Sequence, residues 1–227
     1  MKSSRIPWLP FDRMTLSHGG NFRVRLYLVR HGETDYNKTG RVQGHSEVPL
    51  NETGIEQITR LARRLAGEGR LDHIYASDLR RTAMSAEIIA THTRQAITYN
   101  PLFRERDPGD LADKSFEEAI RFFRDIDYEP PNGESVPIFI ARVRKAVDHL
   151  LEREGANGRN IALVTHGMFC RAFMQLCLGR GPEEVIAWPN ASLTIVDYDG
   201  EDAWDIVTLA DASHLEPEDP AAHPTGA

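Results

Sequence analysis

Along this chain, short apolar runs of β type alternate with stretches whose apolar residues recur at helical spacing. Residues 23–29 alternate and then run apolar toward Gly32, the pattern of a buried strand. After Asn51-Glu52-Thr53-Gly54, the residues Ile55, Ile58, Leu61, Ala62 and Leu65 fall on one face and predict a helix that stops near Gly67 and Gly69. A short strand is expected at 73–76, with Ser77 as N-cap of a helix carrying Leu79, Ala83, Ala86, Ile89 and Ala90. Another strand at 96–99 is closed by Pro101. A loop over 104–114 leads into a helix at 115–124, and Pro130-Pro131-Asn132-Gly133 breaks the chain there. Ser135 opens a long helix through Ile138, Val143, Val147, Leu150 and Leu151, ending near Gly155. An apolar strand follows at 160–165, then a helix from Gly167 to near Gly179, and two strands at 192–198 and 204–209 around the turn Asp199-Gly200.

Strands alternate with helices until that last hairpin. The order predicts an α/β fold, a three-layer αβα sandwich with a mostly parallel sheet and an antiparallel strand near the end. A chain of 227 residues can bury one large core, and no repeat or linker divides it. The expected organisation is an N-terminal arm at 1–22, one domain at 23–210, and a solvated tail at 211–227, rich in proline, alanine and acid and without periodicity.

Charge narrows the classes of partner. A net charge of −7 and a pI near 5.7 argue against a nucleic-acid binder, which needs clustered Lys and Arg. They leave room for a small anionic substrate, because a local arginine cluster can dominate the field of a cleft. No stretch approaches membrane-spanning length, and the arm lacks the apolar core of a secretory signal. Cys170 and Cys177 lie two turns apart on one helix face, too far for an unstrained disulfide, and read as small buried hydrophobes in a reducing, cytoplasmic setting. The apolar final hairpin or the arm is a candidate surface for a homodimer.

Two of the apolar strands end in histidine followed by glycine: Leu26-Tyr27-Leu28-Val29-Arg30-His31-Gly32 and Ile161-Ala162-Leu163-Val164-Thr165-His166-Gly167. Ligand sites of open α/β sheets form at the carboxyl ends of strands, so both imidazoles are expected at one cleft, with Arg30 arriving beside the first. A neutral imidazole is a good nucleophile near neutral pH. One nitrogen of His31 is expected to donate to a backbone carbonyl and the other to attack phosphorus. His166 is expected to hold the transferring phosphoryl as a cation or a hydrogen-bond donor, with Gly167 starting a helix whose N–H groups face the anion. His18, His73, His92, His149, His214 and His223 carry no such surroundings. No Cys/His or acidic cluster has metal-ligand spacing, and neither a metal nor a cofactor is expected.

Arg30-His31-Gly32-Glu33-Thr34 resembles the signature of the histidine phosphatase superfamily, which includes the cofactor-dependent phosphoglycerate mutases. The resemblance continues in order through Asn37, Arg41-Val42-Gln43-Gly44, Pro49-Leu50-Asn51-Glu52-Thr53-Gly54, Ser77-Asp78-Leu79-Arg80-Arg81-Thr82-Ala83, Glu105 with Gly109, Gly133-Glu134-Ser135 and Thr165-His166-Gly167, from about residue 24 to 198. It implies a phosphoglycerate mutase-like fold and a metal-independent reaction on a small phosphate ester through phospho-His31. Arg30 and Arg81 would grip the phosphoryl oxygens, and Glu105 would serve as proton donor and later as base. Asn37 and Gln43 would add neutral donors, with Gly44 allowing close backbone approach. Glu33 and Thr34 would shape the turn.

Two chemistries share this machinery. The resemblance implies that mutases carry a longer insertion between the acid loop and the later helix, and the span from Glu105 to Gly133-Glu134-Ser135 is short, which favours hydrolysis. A phosphoglycerate-type mutase and a non-catalytic phospho-ligand-binding relative are the alternatives. Three positions depart from the family's usual pattern: Gly109-Asp110-Leu111-Ala112-Asp113 after the acid, Glu47 where an aspartate is usual, and Asp78 in place of a proline. They bear on substrate identity rather than on reaction class.

Overall fold

The computed structural model describes residues 23–69, 71–155, 158–179, 188–200 and 204–216. The expected arm at 1–22 and the end of the tail at 217–227 lie outside them. Among the described residues six strands make one sheet: β1 (Val24–Arg30), β2 (His73–Ala76), β3 (Ile97–Tyr99), β4 (Asn160–Thr165), β5 (Leu193–Tyr198) and β6 (Trp204–Asp211), in the spatial order β3-β2-β4-β1-β5-β6. The β1–β4, β2–β4 and β2–β3 pairs are parallel, and β5 runs antiparallel to both β1 and β6.

Both faces of the central strands are covered, which is why β1 and β4 read as continuous apolar runs. Leu26, Leu28 and Leu163 face one way and pack with α5 (Val136–Glu154) and α6 (Gly167–Leu178) through Val143, Val147, Phe169 and Phe173. Tyr27, Val29, Ala162 and Val164 face the other way and pack with α2 (Glu52–Glu68) and α3 (Arg80–Thr93) through Ile58, Leu61, Leu65 and Ile89. The result is the expected three-layer sandwich.

The register is what positions the site. Arg30 pairs with Thr165 across the β1–β4 ladder, and His31 N donates to the Thr165 carbonyl at 3.0 Å, so the residues that follow the two strands emerge side by side. Short elements at this end went unread in the sequence or moved. Thr34 caps a five-residue helix, α1 (Asp35–Thr39), through a reciprocal box with Asn37. The helix expected at 115–124 is reduced to α4 (Ile120–Arg124), because Ser115 bridges to Arg41 and holds the chain extended there.

Other expectations are corrected. Ser77 does not cap α3: the N-cap is Leu79, with no side-chain cap bond, and Glu47 Oε2 accepts from Arg80 N at 3.0 Å instead. Ile55 and Ile138, part of the apolar pattern that predicts their helices, are 41% and 59% exposed, each lying within the first four residues of its helix, outside the covered stripe. The tail does not open at residue 211. Asp211 ends β6 and binds Arg64 at 2.6 Å, and a 3-10 turn at Ser213–Leu215 docks His214 Nε2 against the Ala191 carbonyl at 3.1 Å. Cys170 is buried and Cys177 partly so, both unbridged, and burial pushes both thiols up. None of the described helices is long and apolar enough to cross a membrane.

Candidate active site

The imidazoles of His31 and His166 meet at the carboxyl ends of β1 and β4, with ring centroids 5.3 Å apart and planes at 61°. His31 is 3% exposed, and its Nδ1 lies 2.7 Å from the Gly32 carbonyl. A carbonyl only accepts, so Nδ1 carries the proton and Nε2 carries the lone pair. Gly32 is required for this turn, since a Cβ there would lie 2.5 Å from the Gly54 carbonyl. Burial first, then the Arg81 and Arg30 guanidiniums, hold the His31 imidazole well below the usual histidine range. It is neutral, and therefore nucleophilic, at neutral pH.

His166 is fully buried, with its ring set against that of His31. Its Nε2 is 3.0 Å from Ser77 Oγ, which also accepts from Leu79 N. Burial and then Arg81 keep it too well below the usual range. Of the two roles expected for His166, cation or hydrogen-bond donor, only that of neutral donor fits this environment.

Arg30 and Arg81 flank the histidines. Arg81 is 1% exposed; it donates from Nη2 to the Gly44 carbonyl at 2.7 Å and from Nη1 to the Ser46 carbonyl at 3.1 Å. Burial lowers its pKa to about 10, offset in part by Glu105, so it stays charged at neutral pH. Arg30 Nη1 donates to the Trp188 carbonyl, and burial lowers its pKa as well. Three nitrogens in this group, Arg30 Nε, Arg81 Nε and His166 Nδ1, are buried with no hydrogen-bond partner in the protein. Buried polar groups are paired in more than about nine cases in ten, so three orphans around one imidazole mark a place prepared for an anion.

Glu105 joins them on the wall of a cavity of about 390 Å3. Its Oε1 accepts from Arg106 N at 3.0 Å and its Oε2 from Met168 N at 3.1 Å. The second bond alters one expectation: an N–H in the first turn of α6 holds the Glu105 carboxylate, not an external anion. Gly167 lines the cavity, and a Cβ there would touch Arg30 at 3.5 Å, an ordinary contact.

The expected neutral donors are present. Asn37 Oδ1 accepts from Thr34 N at 3.3 Å and Asn190 Nδ2 at 3.2 Å, while Gln43 Oε1 accepts from Thr34 Oγ1 at 2.9 Å. With both carbonyl ends tied down, the amide nitrogens are left for the cavity that both residues line. Gly44 also lines it, but the close approach it permits is to the protein: at φ +49°, a Cβ would sit 1.9 Å from Pro108 Cδ.

Several organising residues were not read from the sequence. Arg142 donates to the carbonyls of Leu102, Arg104 and Glu105 at 3.0, 2.8 and 2.9 Å and to both carboxylate oxygens of Glu134, which uses all five of its N–H groups. Its signal is faint but present: an arginine within the apolar stripe Phe139, Val143, Ala146 of α5. Arg106, 1% exposed, ties the span after the acid together through the carbonyls of Glu134, Phe122 and Tyr128. His45 Nε2 also reaches the Glu105 carbonyl, at 2.8 Å. Asp78, one of the departures, forms a two-pronged pair with Arg104 at 2.6 and 2.5 Å. Glu33 accepts from Asn51 Nδ2 at 2.9 Å and shapes the turn as expected. Among the described residues no group of three His, Cys, Asp or Glu is placed to hold a metal ion.

The arrangement can receive a phosphoryl group on a neutral imidazole, stabilise its oxygens with two buried guanidiniums, and offer one carboxyl for proton transfer. Comparison with known proteins shows the family. The sequence profile of the "Histidine phosphatase superfamily (branch 1)" matches residues 26–212. A Proteus mirabilis protein named "Probable phosphoglycerate mutase GpmB" is 35% identical over 208 residues, covering 85% of this chain and 95% of that protein. The solved structure of Bacillus stearothermophilus YhfR superposes with a TM-score of 0.77 at 29% identity, over 85% of this chain and 100% of that one. The mycobacterial glucosyl-3-phosphoglycerate phosphatase in complex with VO3 superposes with a TM-score of 0.71 at 27% identity, over 82% and 98%. With its fold, its paired histidines and the span of these matches, the chain belongs to the histidine phosphatase superfamily.

Proposed function

We propose that the protein is a metal-independent phosphatase that hydrolyses small phosphomonoesters through a phosphohistidine on His31. The observation that carries this reading is the set of three orphaned buried nitrogens, Arg30 Nε, Arg81 Nε and His166 Nδ1, around an imidazole whose proton is fixed on Nδ1. In the first step the Nε2 lone pair attacks phosphorus and the ester P–O bond breaks; the leaving alkoxide takes a proton from the Glu105 carboxyl. In the second, water attacks phosphorus, the P–N bond breaks, His31 recovers its lone pair, and the Glu105 carboxylate takes the water proton. Arg30 and Arg81 stabilise the charge spread over the equatorial oxygens in both steps.

The test is phosphate release from p-nitrophenyl phosphate in excess EDTA, with trapping of a phosphoenzyme that is labile to acid and stable to base. Loss of both in His31→Ala is the expected outcome; full activity of that variant overturns the reading. A second reading, a phosphoglycerate-type mutase, is favoured by the name of the 35% identical relative. It requires conversion of 3-phosphoglycerate to 2-phosphoglycerate, stimulated by a bisphosphate. The short span between Glu105 and α5 favours hydrolysis, and release of phosphate far outrunning isomerisation excludes the mutase.

A further inference from the structure

Part of the cavity lining is built differently from the group around His31. Phe116, Ile120 and Phe123 form it, and they are 44%, 42% and 37% exposed. Large apolar side chains left this open on a soluble protein are informative when they cluster. Here they do: the Phe116 and Phe123 rings meet edge to face at 5.2 Å, and Phe123 packs on Phe122 at 5.1 Å. None of these side chains can hydrogen-bond a hydroxyl. Arg106 makes the wall rigid, with its guanidinium 4.2 Å from the Phe122 ring centroid and bonded to the Phe122 carbonyl.

Beyond the group around His31, the cavity lining carries further cations. Arg41, Arg124 and Arg171 line the cavity. Arg41 is committed to Asp113 at 2.9 Å and to the Tyr36 ring. Arg124 and Arg171 are exposed and have no carboxylate partner among the described residues. The neighbouring Arg121, by contrast, is paired with Asp125 and stacked on Tyr128. Two uncommitted guanidiniums lining the same cavity as an aromatic surface match a group that is both apolar and anionic.

We propose that the leaving group of the natural substrate has an aromatic body carrying a second anionic substituent, seated on Phe116, Ile120 and Phe123 with the anion toward Arg124 and Arg171. This inference rests on the phosphatase reading and deepens it. Phe116, Ile120 and Phe123 themselves offer the hydroxyls of a sugar no hydrogen-bond partner. The volume of about 390 Å3 lies near the lower end of the range for sites that enclose whole small molecules, so a single ring with one substituent fits the scale.

The experiment compares kcat/KM for phosphate release from three esters with matched alkoxide leaving groups: 3-hydroxypropyl phosphate, 3-phenylpropyl phosphate and 3-(4-carboxyphenyl)propyl phosphate. The phenyl ester is expected to exceed the hydroxypropyl ester by about 10-fold or more, from burial of the ring. The carboxylate is expected to add about 3-fold at low salt, a gain erased in high salt. Phe116→Ala combined with Phe123→Ala removes the phenyl advantage, and Arg124→Ala combined with Arg171→Ala removes the carboxylate advantage but not the phenyl one. Thermal melts of both variants verify folding. Equal rates on the three esters, or an unchanged carboxylate preference in the double arginine variant, overturn the subsite and leave the phosphatase standing. Absence of phosphate release from all three esters, with no phosphoenzyme formed, overturns the phosphatase reading and the subsite together.

Discussion

Arg142 Nη2 donates to the main-chain carbonyl of Glu105 at 2.9 Å, so the residue proposed as proton donor is held from behind by an arginine that does not line the cavity. The same guanidinium binds Glu134 through two oxygens at 2.8 and 2.6 Å, with both side chains 17% exposed. Arg142→Lys keeps the charge but cannot satisfy five acceptors in fixed directions. We expect kcat/KM to fall about 10- to 100-fold, as small misplacements of catalytic groups do. Arg142→Ala leaves Glu134 partly buried and unpaired, and should lower unfolding free energy by about 3–5 kcal/mol in urea titrations. A purely structural role would lower stability without altering the ratio of rates on poor and good leaving groups. A positioning role makes Arg142→Lys lose more on an alkyl phosphate than on p-nitrophenyl phosphate.

That ratio is also the signature of Glu105 itself. Glu105→Gln retains the shape and can still accept from one of Arg106 N and Met168 N, which the carboxylate binds with separate oxygens, but it supplies no proton. An alkoxide needs that proton and p-nitrophenolate does not. We expect about a 100- to 10,000-fold loss of kcat on an alkyl phosphate and a much smaller loss of phosphoenzyme formation from p-nitrophenyl phosphate. Breakdown of the phosphoenzyme should slow, because the base for water is gone, and trapped phosphohistidine should accumulate. Equal losses on both esters in phosphoenzyme formation would contradict the assignment.

What the sequence made legible follows from the range of each interaction. The strands β1 and β4, the helices α2, α3, α5 and α6, and the convergence of His31 and His166 were readable because period and punctuation are local signals. Arg30, Arg81, Asn37 and Glu105 came from ordered motifs, and the structure brings all of them to one cavity. The supports were not legible. Arg142 reaches carbonyls about forty positions away, and Arg106 reaches Glu134 and Phe122 across the span after the acid, contacts with no fixed offset in sequence. Ser77 reads locally as a helix cap, but its hydroxyl is drawn to His166 Nε2 by the parallel β2–β4 pairing, a tertiary demand that overrides the local preference.

Gly44 and Gly167 both line the cavity, yet the structure separates them by cause, which gives a paired test. A methyl at Gly44 would meet Pro108 Cδ at 1.9 Å, and the φ of +49° is itself strained for alanine. Gly44→Ala should cost about 2 kcal/mol or more. Because Arg81 Nη2 rests on the Gly44 carbonyl, kcat/KM should drop as well. Gly167→Ala introduces a contact no closer than 3.5 Å, so its unfolding free energy should stay within about 0.5 kcal/mol of the parent protein. Urea titrations of the two variants side by side decide the matter; equal stability of Gly44→Ala would remove the packing argument.

Stability should fall as pH drops through the range where free histidine titrates. His31 and His166 both have pKa values held well below the usual histidine value, first by burial and then by the arginines beside them. Between each depressed folded value and the unfolded value of about 6.5, the unfolded chain binds the proton that the folded chain refuses. Unfolding free energy therefore rises with pH in that window, and the contribution is complete only above about pH 6.5. At pH 5.5, one unit below the unfolded value, each histidine should have cost the folded state about 1.4 kcal/mol relative to pH 7.5. Urea midpoints at the two pH values measure the sum, to which His73 and His214, lowered by burial as well, add in the same direction. His166→Gln replaces one titrating ring with an amide of similar reach, and should remove part of the histidine-linked difference while leaving the sign unchanged; His73 and His214, also lowered by burial, keep their share. A pH-independent midpoint in the parent protein would mean that the imidazoles are not the buried neutral pair on which nucleophilic attack by His31 depends.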